Sequence, residues 1–171
     1  MNPLIQFKTT LLLSVLFVCF GIPAAQSATE LFSADLSGEN EVPPINTAGS
    51  ATFHTDTITF SLTYSGLSAN PLVAHLHFGP TKVNGGVMIF LCGGGGQPAC
   101  PAATSGTVTG TITAANVVGP TTQGIAPGDL DSALEAVRAG LAYANMHTVN
   151  FPGGEIRGQV RRGDSKDVDL P

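Results

Sequence analysis

Two histidines, His75 and His77, stand one residue apart in the run Leu72-Val73-Ala74-His75-Leu76-His77-Phe78. On an extended strand, residues i and i+2 project from one face. Both imidazoles therefore point the same way, and Ala74, Leu76 and Phe78 point into the core. His147 lies in a second extended stretch, 141–149, and shares its face with Tyr143 and Asn145. If the two strands are neighbours, three imidazoles converge. Three histidines plus water hold zinc, and imidazole also suits copper. The expectation is one divalent ion on the outer face, with the His75 and His147 rings within about 6 Å of each other. Its affinity should fall as pH drops through about 6.5, the reference histidine pKa. The alternative is that each imidazole simply bonds a loop carbonyl. His54 stands alone near a turn and is given no role.

Other chemistry-bearing residues are fewer. Cys92 and Cys100 bracket Gly93-Gly94-Gly95-Gly96-Gln97-Pro98-Ala99. Once Cys19 has left with a leader they form an even pair, expected to close a disulfide in an oxidising compartment. Closing so short a loop contributes roughly 2.5 kcal/mol. A zinc site of the CxxC type would need a different spacing and a second pair. Glu155 and Arg157 share a strand face and are expected to form an ion pair that orders the sheet, with a substrate or partner contact as the alternative. Glu39 and Glu41 sit in a Pro-flanked loop; they are expected to cap nearby amides, with calcium as the weaker reading. The glycine run lacks the Gly-Lys-Ser/Thr ending of a phosphate loop. No Gly-x-Ser-x-Gly elbow occurs.

Strands must position these residues. Leu31 to Leu36, Ala48 to His54, Ile58 to Tyr64, Leu72 to Phe78, Val87 to Leu91, Thr107 to Thr113, 141–149 and Glu155 to Val160 all read as strands. Ile58, Phe60, Leu62 and Tyr64 alternate with Thr59, Ser61 and Thr63 and are expected to face the core. Val87 to Leu91 is continuously apolar, which predicts a buried central strand. One short helix interrupts the pattern. Asp129 caps it, Leu130, Ala133, Leu134 and Val137 form its apolar face, and Gly140 stops it. The fold class is all-β, a sandwich or barrel with one short helix.

The N-terminus reads as a secretory leader. Lys8 is followed by the apolar run Leu11 to Phe20, then by Gly21, Pro23 and small residues. The apolar run is shorter than the roughly 20 residues of a membrane span. Residues 1–27 are thus a signal peptide, with mature protein beginning between Gln26 and Thr29 and no transmembrane anchor after processing. Residues 30–160 form one β domain, and 161–171 a disordered polar tail. Losing Lys8 takes the formal charge from −5 to −6. With no basic stripe, nucleic acid is an unsuitable partner.

Five segments together resemble the CHRD (chordin-type) domain in its microbial, exported branch. They are Leu36 to Pro44, Ala74 to Gly79, Asn84 to Val87, Tyr143 to Thr148 and Gly153 to Gln159. The resemblance implies an immunoglobulin-like β-sandwich or barrel, distantly similar to copper/zinc superoxide dismutase. It adds weight to His75, His77 and His147 as ligands. It implies no dismutase activity, since such a site needs four imidazoles on copper beside a bridged zinc, and this chain has four histidines in all. The growth-factor antagonism of chordin as a whole does not carry over to a single domain.

The expected function is an exported, non-enzymatic binding or structural module, secreted or periplasmic. Its partner would be an extracytoplasmic protein, a polymer or a metal ion. The alternative is a histidine-liganded copper or zinc metalloprotein with a redox-related role.

Overall fold

The computed structural model describes residues 30–163 apart from Thr57. The segment read above as a signal peptide and the end of the tail lie outside the described residues. The elements are β1 (Phe32–Ser37), β2 (Ser50–Thr55), β3 (Thr59–Ser65), β4 (Pro71–Phe78), β5 (Gly86–Cys92), β6 (Gly106–Thr111), α1 (Leu130–Arg138), β7 (Ala142–Thr148), β8 (Ile156–Gln159) and β9 (Arg161–Arg162).

All strand pairings are antiparallel, in the order β5-β4-β7-β8-β1-β2-β3-β6, with β9 also on β1. The sheet curls into a nearly closed barrel. Its seam lies between β5 and β6, and side chains bridge it. Gln97 donates to the Thr111 carbonyl at 3.0 Å, and Asn116 donates to the Gly95 carbonyl at 3.0 Å. Phe32, Phe53, Phe60, Leu62, Leu76, Leu91, Met146 and Ile156 fill the interior from strands all round the barrel. The strand alternation read from the sequence accounts for this: every second residue of β3, from Phe60 to Tyr64, is buried.

Ile58 is an exception. It is 53% exposed, because the β2–β3 connection takes it before the strand begins. The Asp56 carboxylate accepts from the Ile58 and Thr59 amides at 3.0 and 2.7 Å, so the aspartate's own turn chemistry displaces the strand start. β5 is buried but not central. It ends the strand path, and its free edge is covered by a loop, with Ile89 bridged to Val117 and the Val118 amide donating to Met88. That cover explains a continuous apolar run on a terminal strand. The tail also starts later than expected. Arg161 and Arg162 pair with Ser33 and Phe32, and Glu30 takes both Arg162 and Arg138 in ion pairs.

α1 forms as its sequence dictates. Asp129 accepts from the Ser132 amide at 3.1 Å, and Ala133, Ala136 and Val137 are buried. Cys92 and Cys100 lie at disulfide distance, with Cα atoms 5.0 Å apart.

Candidate metal centre

β4 and β7 are direct neighbours, so the condition for convergence is met. The register places His75 opposite Asn145, His77 opposite Tyr143 and His147 opposite Val73. Across the sheet, one row runs Phe90, His75, Asn145, Arg157, taking one residue from each of β5, β4, β7 and β8. The β4–β5 ladder shifts register between Ala74 and His75 and again between Leu76 and His77. Such irregularities re-aim side chains.

His75, His77 and His147 each offer a ring nitrogen, and these nitrogens lie within 4.8 Å of one another. Ring centroids are 5.0 Å apart for His75–His77, 4.7 Å for His75–His147 and 6.3 Å for His77–His147. No other histidine, cysteine or acid among the described residues joins them. His54, on β2, is not part of the group. Glu39 and Glu41 do not form a joint site: Glu39 is exposed, whereas Glu41, in the loop before β2, is buried.

The histidines point away from the Ala74–Leu76–Met146 core, as the alternation requires, yet they are not on an open face. They are 6–8% exposed. Every residue of β7 is buried, because loops cover its outer side. Those loops also fix the rings. His77 Nδ1 donates to the Gly85 carbonyl at 3.0 Å, and His147 Nδ1 donates to the Pro152 carbonyl at 2.9 Å. With Nδ1 protonated, the lone pair of each neutral ring sits on Nε2. Metal-ligating histidines are commonly oriented through the other ring nitrogen in this way. Carbonyl bonding and metal ligation are therefore not rivals here, since they use opposite sides of the same rings.

His75 Nδ1 and His77 Nε2 are hydrogen-bonded at 3.1 Å, and since His77 Nδ1 donates to Gly85, His75 is the donor. Two nitrogens sharing one metal at bonds of 2.0–2.1 Å stand about 3.3 Å apart in tetrahedral geometry. His147 Nε2 is buried and has no hydrogen-bond partner. A buried acceptor left unpaired is costly, and a ligand in the centre of the trio would satisfy it.

Burial pushes the His75 pKa down to about 3, with the neighbouring His147 and His77 adding to the effect. Burial pushes His77 down to about 4; the bond to Gly85 opposes this, while His147 and Arg157 reinforce it. Burial also lowers His147, against the bond to Pro152. His75 and His77 are thus held neutral, the form a metal needs, well below pH 6.5, and His147 is shifted in the same direction.

The residues around the trio were less legible in the sequence. The Phe90 ring packs edge-on against His75, centroids 4.7 Å apart. Behind it lies the glycine loop: a Cβ on Gly94 would sit 2.6 Å from the Phe90 ring, and one on Gly95 2.7 Å. The glycines are there for close approach, and the Cys92–Cys100 pair holds them against the phenyl ring. Asn145, next to His75, donates to Glu41 at 2.5 Å and to the Ile156 carbonyl at 3.1 Å. Burial raises the Glu41 pKa to about 7, against that hydrogen bond and the attraction of Arg157.

Glu155 and Arg157 do not pair. Glu155 precedes β8 and is fully buried, accepting from Thr47, the Ser68 amide and hydroxyl, and Thr148 at 2.6–2.8 Å. Burial works to raise its pKa, but these donors outweigh it and hold the carboxylate ionised. Arg157 reaches instead over Tyr143 and into the 80–84 loop. Each residue found polar partners on loops distant in sequence, which removes any gain from pairing with the other.

Among the described residues, no helix is long and apolar enough to cross a membrane. No curated protein and no solved structure gives a significant match to the chain. The CHRD domain model matches residues 32–160, a span that takes in every strand from β1 to β8. On that match, the chain belongs to the CHRD family.

Proposed function

We propose that this CHRD domain is an exported, non-enzymatic binding module whose His75, His77 and His147 hold one zinc or copper ion. The observation that carries the reading is His147 Nε2, buried without a partner and aimed at two further imidazoles in a single 4.8 Å cluster. Export rests on the charged-apolar-small order of residues 1–27 and on a cysteine pair suited to an oxidising compartment.

Calorimetric titration of the purified exported protein with zinc(II) at pH 7.5 tests the site. One saturable equivalent is expected, lost in His77→Ala and unaffected in His54→Ala. No saturable binding of zinc(II), copper(II) or copper(I) would return the trio to a hydrogen-bonded structural cluster. The protein would then be a binding or structural module without metal, its partner a protein or polymer. An intact mass beginning between Gln26 and Thr29 tests export; a mass retaining Met1 would overturn it.

A further inference from the structure

We infer that the trio selects a monovalent, three-coordinate ion, copper(I), over zinc(II) and copper(II). The inference deepens the metal-binding reading above and rests on it. Three features of the site carry it.

The donor count is three. No fourth histidine, cysteine or acid among the described residues lies in the group. Zinc in a three-histidine site completes its tetrahedron with water. Here the Phe90 ring covers His75 and is itself backed by the glycine loop, while His147 Nε2 has essentially no accessible surface. Water is poorly placed to become the fourth ligand. Copper(I), which carries a single charge, is content with three donors.

The donors are also all neutral. Imidazoles bring no negative charge to offset the ion, and the cost of burying an ion grows as the square of its charge. A divalent ion among three buried imidazoles therefore pays about four times the desolvation of a monovalent one on the Born form of that estimate.

A fixed cation adds to this. Arg157, 2% exposed, lies 3.4 Å over the Tyr143 ring, and Tyr143 stacks on His77 with centroids 4.7 Å apart. No carboxylate forms a salt bridge with Arg157: the ion pairs among the described residues belong to Glu30. Glu41 is the acid nearest in the network, and its carboxyl is engaged by Asn145. The Arg157 charge lies on the His77 side of the trio and opposes a second unit of charge on a metal held there.

The test compares three ions on the full exported protein. Copper(I), kept reduced under anaerobic conditions, is titrated against bicinchoninate, and zinc(II) and copper(II) against chromophoric chelators. Copper(I) is expected to bind at least 100-fold more tightly than either divalent ion, and His147→Ala to weaken it at least tenfold while the unfolding transition stays cooperative. Zinc(II) or copper(II) binding as tightly as copper(I) would overturn the selectivity and leave the metal site standing. Copper(I) binding unchanged in both His147→Ala and His77→Ala would place the ion elsewhere and overturn the inference. No binding of any of the three ions would overturn both it and the proposed function.

Discussion

The Arg157 guanidinium stands 3.4 Å over the ring of Tyr143. Tyr143 lies on β7, with Arg157 on β8 at one side and His77 on β4 at the other, so guanidinium, phenol and imidazole form a layered stack. The guanidinium also donates to Asn84 Oδ1 at 2.9 Å and to the Pro80 and Val83 carbonyls at 3.2 and 2.6 Å. It thereby holds the loop whose Gly85 carbonyl accepts from His77. Lysine cannot supply this planar fork or the stacking. Arg157→Lys is expected to cost about 1.5–3 kcal/mol, since the buried guanidinium's charge-assisted bonds to the loop are lost. Urea unfolding checks the cost. A shift of the His77 ring resonances in the folded variant checks the link to the site; unchanged resonances would show that the stack does not position His77.

This stack also marks where sequence reading stops. His75, His77, Tyr143, Asn145 and His147 were legible as one face because strand alternation is local and strict. Their burial was not. The partners that cover them lie far along the chain, as Glu41 does from Asn145 or Val83 from Arg157, and loop-to-sheet contacts leave no periodic signal. The same reason hid the separation of Glu155 from Arg157. Ile58 and β5 failed differently: turn chemistry at Asp56 and a covering loop at Val117 overrode what the apolar pattern alone implied.

Acid should reach the metal late. His75 and His77, held near pKa 3 and 4, stay neutral well below the reference value of 6.5. Metal affinity at pH 5.5 is expected to lie within about threefold of that at pH 7.5, where exposed imidazoles would lose about tenfold per competing ring. A competition titration across that range decides it. The metal-free protein feels the same shifts as stability. Folded pKa values below the unfolded one mean that the unfolded chain binds more protons. The contribution is complete above about pH 6.5 and is lost as pH falls toward 4 and then 3. The unfolding midpoint should therefore drop in that window, and His75→Gln should flatten the drop.

Glu41 acts in the opposite sense. Its folded pKa of about 7 lies above the ordinary carboxylate value of 4.5. The folded state then holds a proton that the unfolded state has released. Stability from this group is complete below about pH 4.5 and falls as pH rises through 7. Glu41→Gln removes the titration while keeping an oxygen to accept from Asn145. The variant is expected to match the wild type near pH 5 and to exceed it at pH 8 by on the order of 3 kcal/mol, the linkage value of a shift of this size. Unfolding curves at the two pH values check this; equal stability at pH 8 would mean that the Glu41 carboxylate is not penalised by its burial.

Replacing Cys92 and Cys100 with serine tests whether the glycine loop is part of the site. Loop closure alone predicts a loss of roughly 2.5 kcal/mol, through the unfolded chain. Were that the whole effect, metal affinity in the folded variant would not change. The packing argues for more. Gly94 and Gly95 rest on the Phe90 ring, and Phe90 rests on His75, so the cysteine pair keeps a lid pressed on a ligand. Four consecutive glycines, Gly93 to Gly96, have no side chains of their own to hold that position once the link is cut. Released, the loop should fluctuate, admit water to His75 and weaken the preference for a three-coordinate ion. The double serine variant is therefore expected to lose both stability and at least tenfold of its copper(I)-over-zinc(II) selectivity. Loss of stability with selectivity intact would confine the cysteines to a structural role.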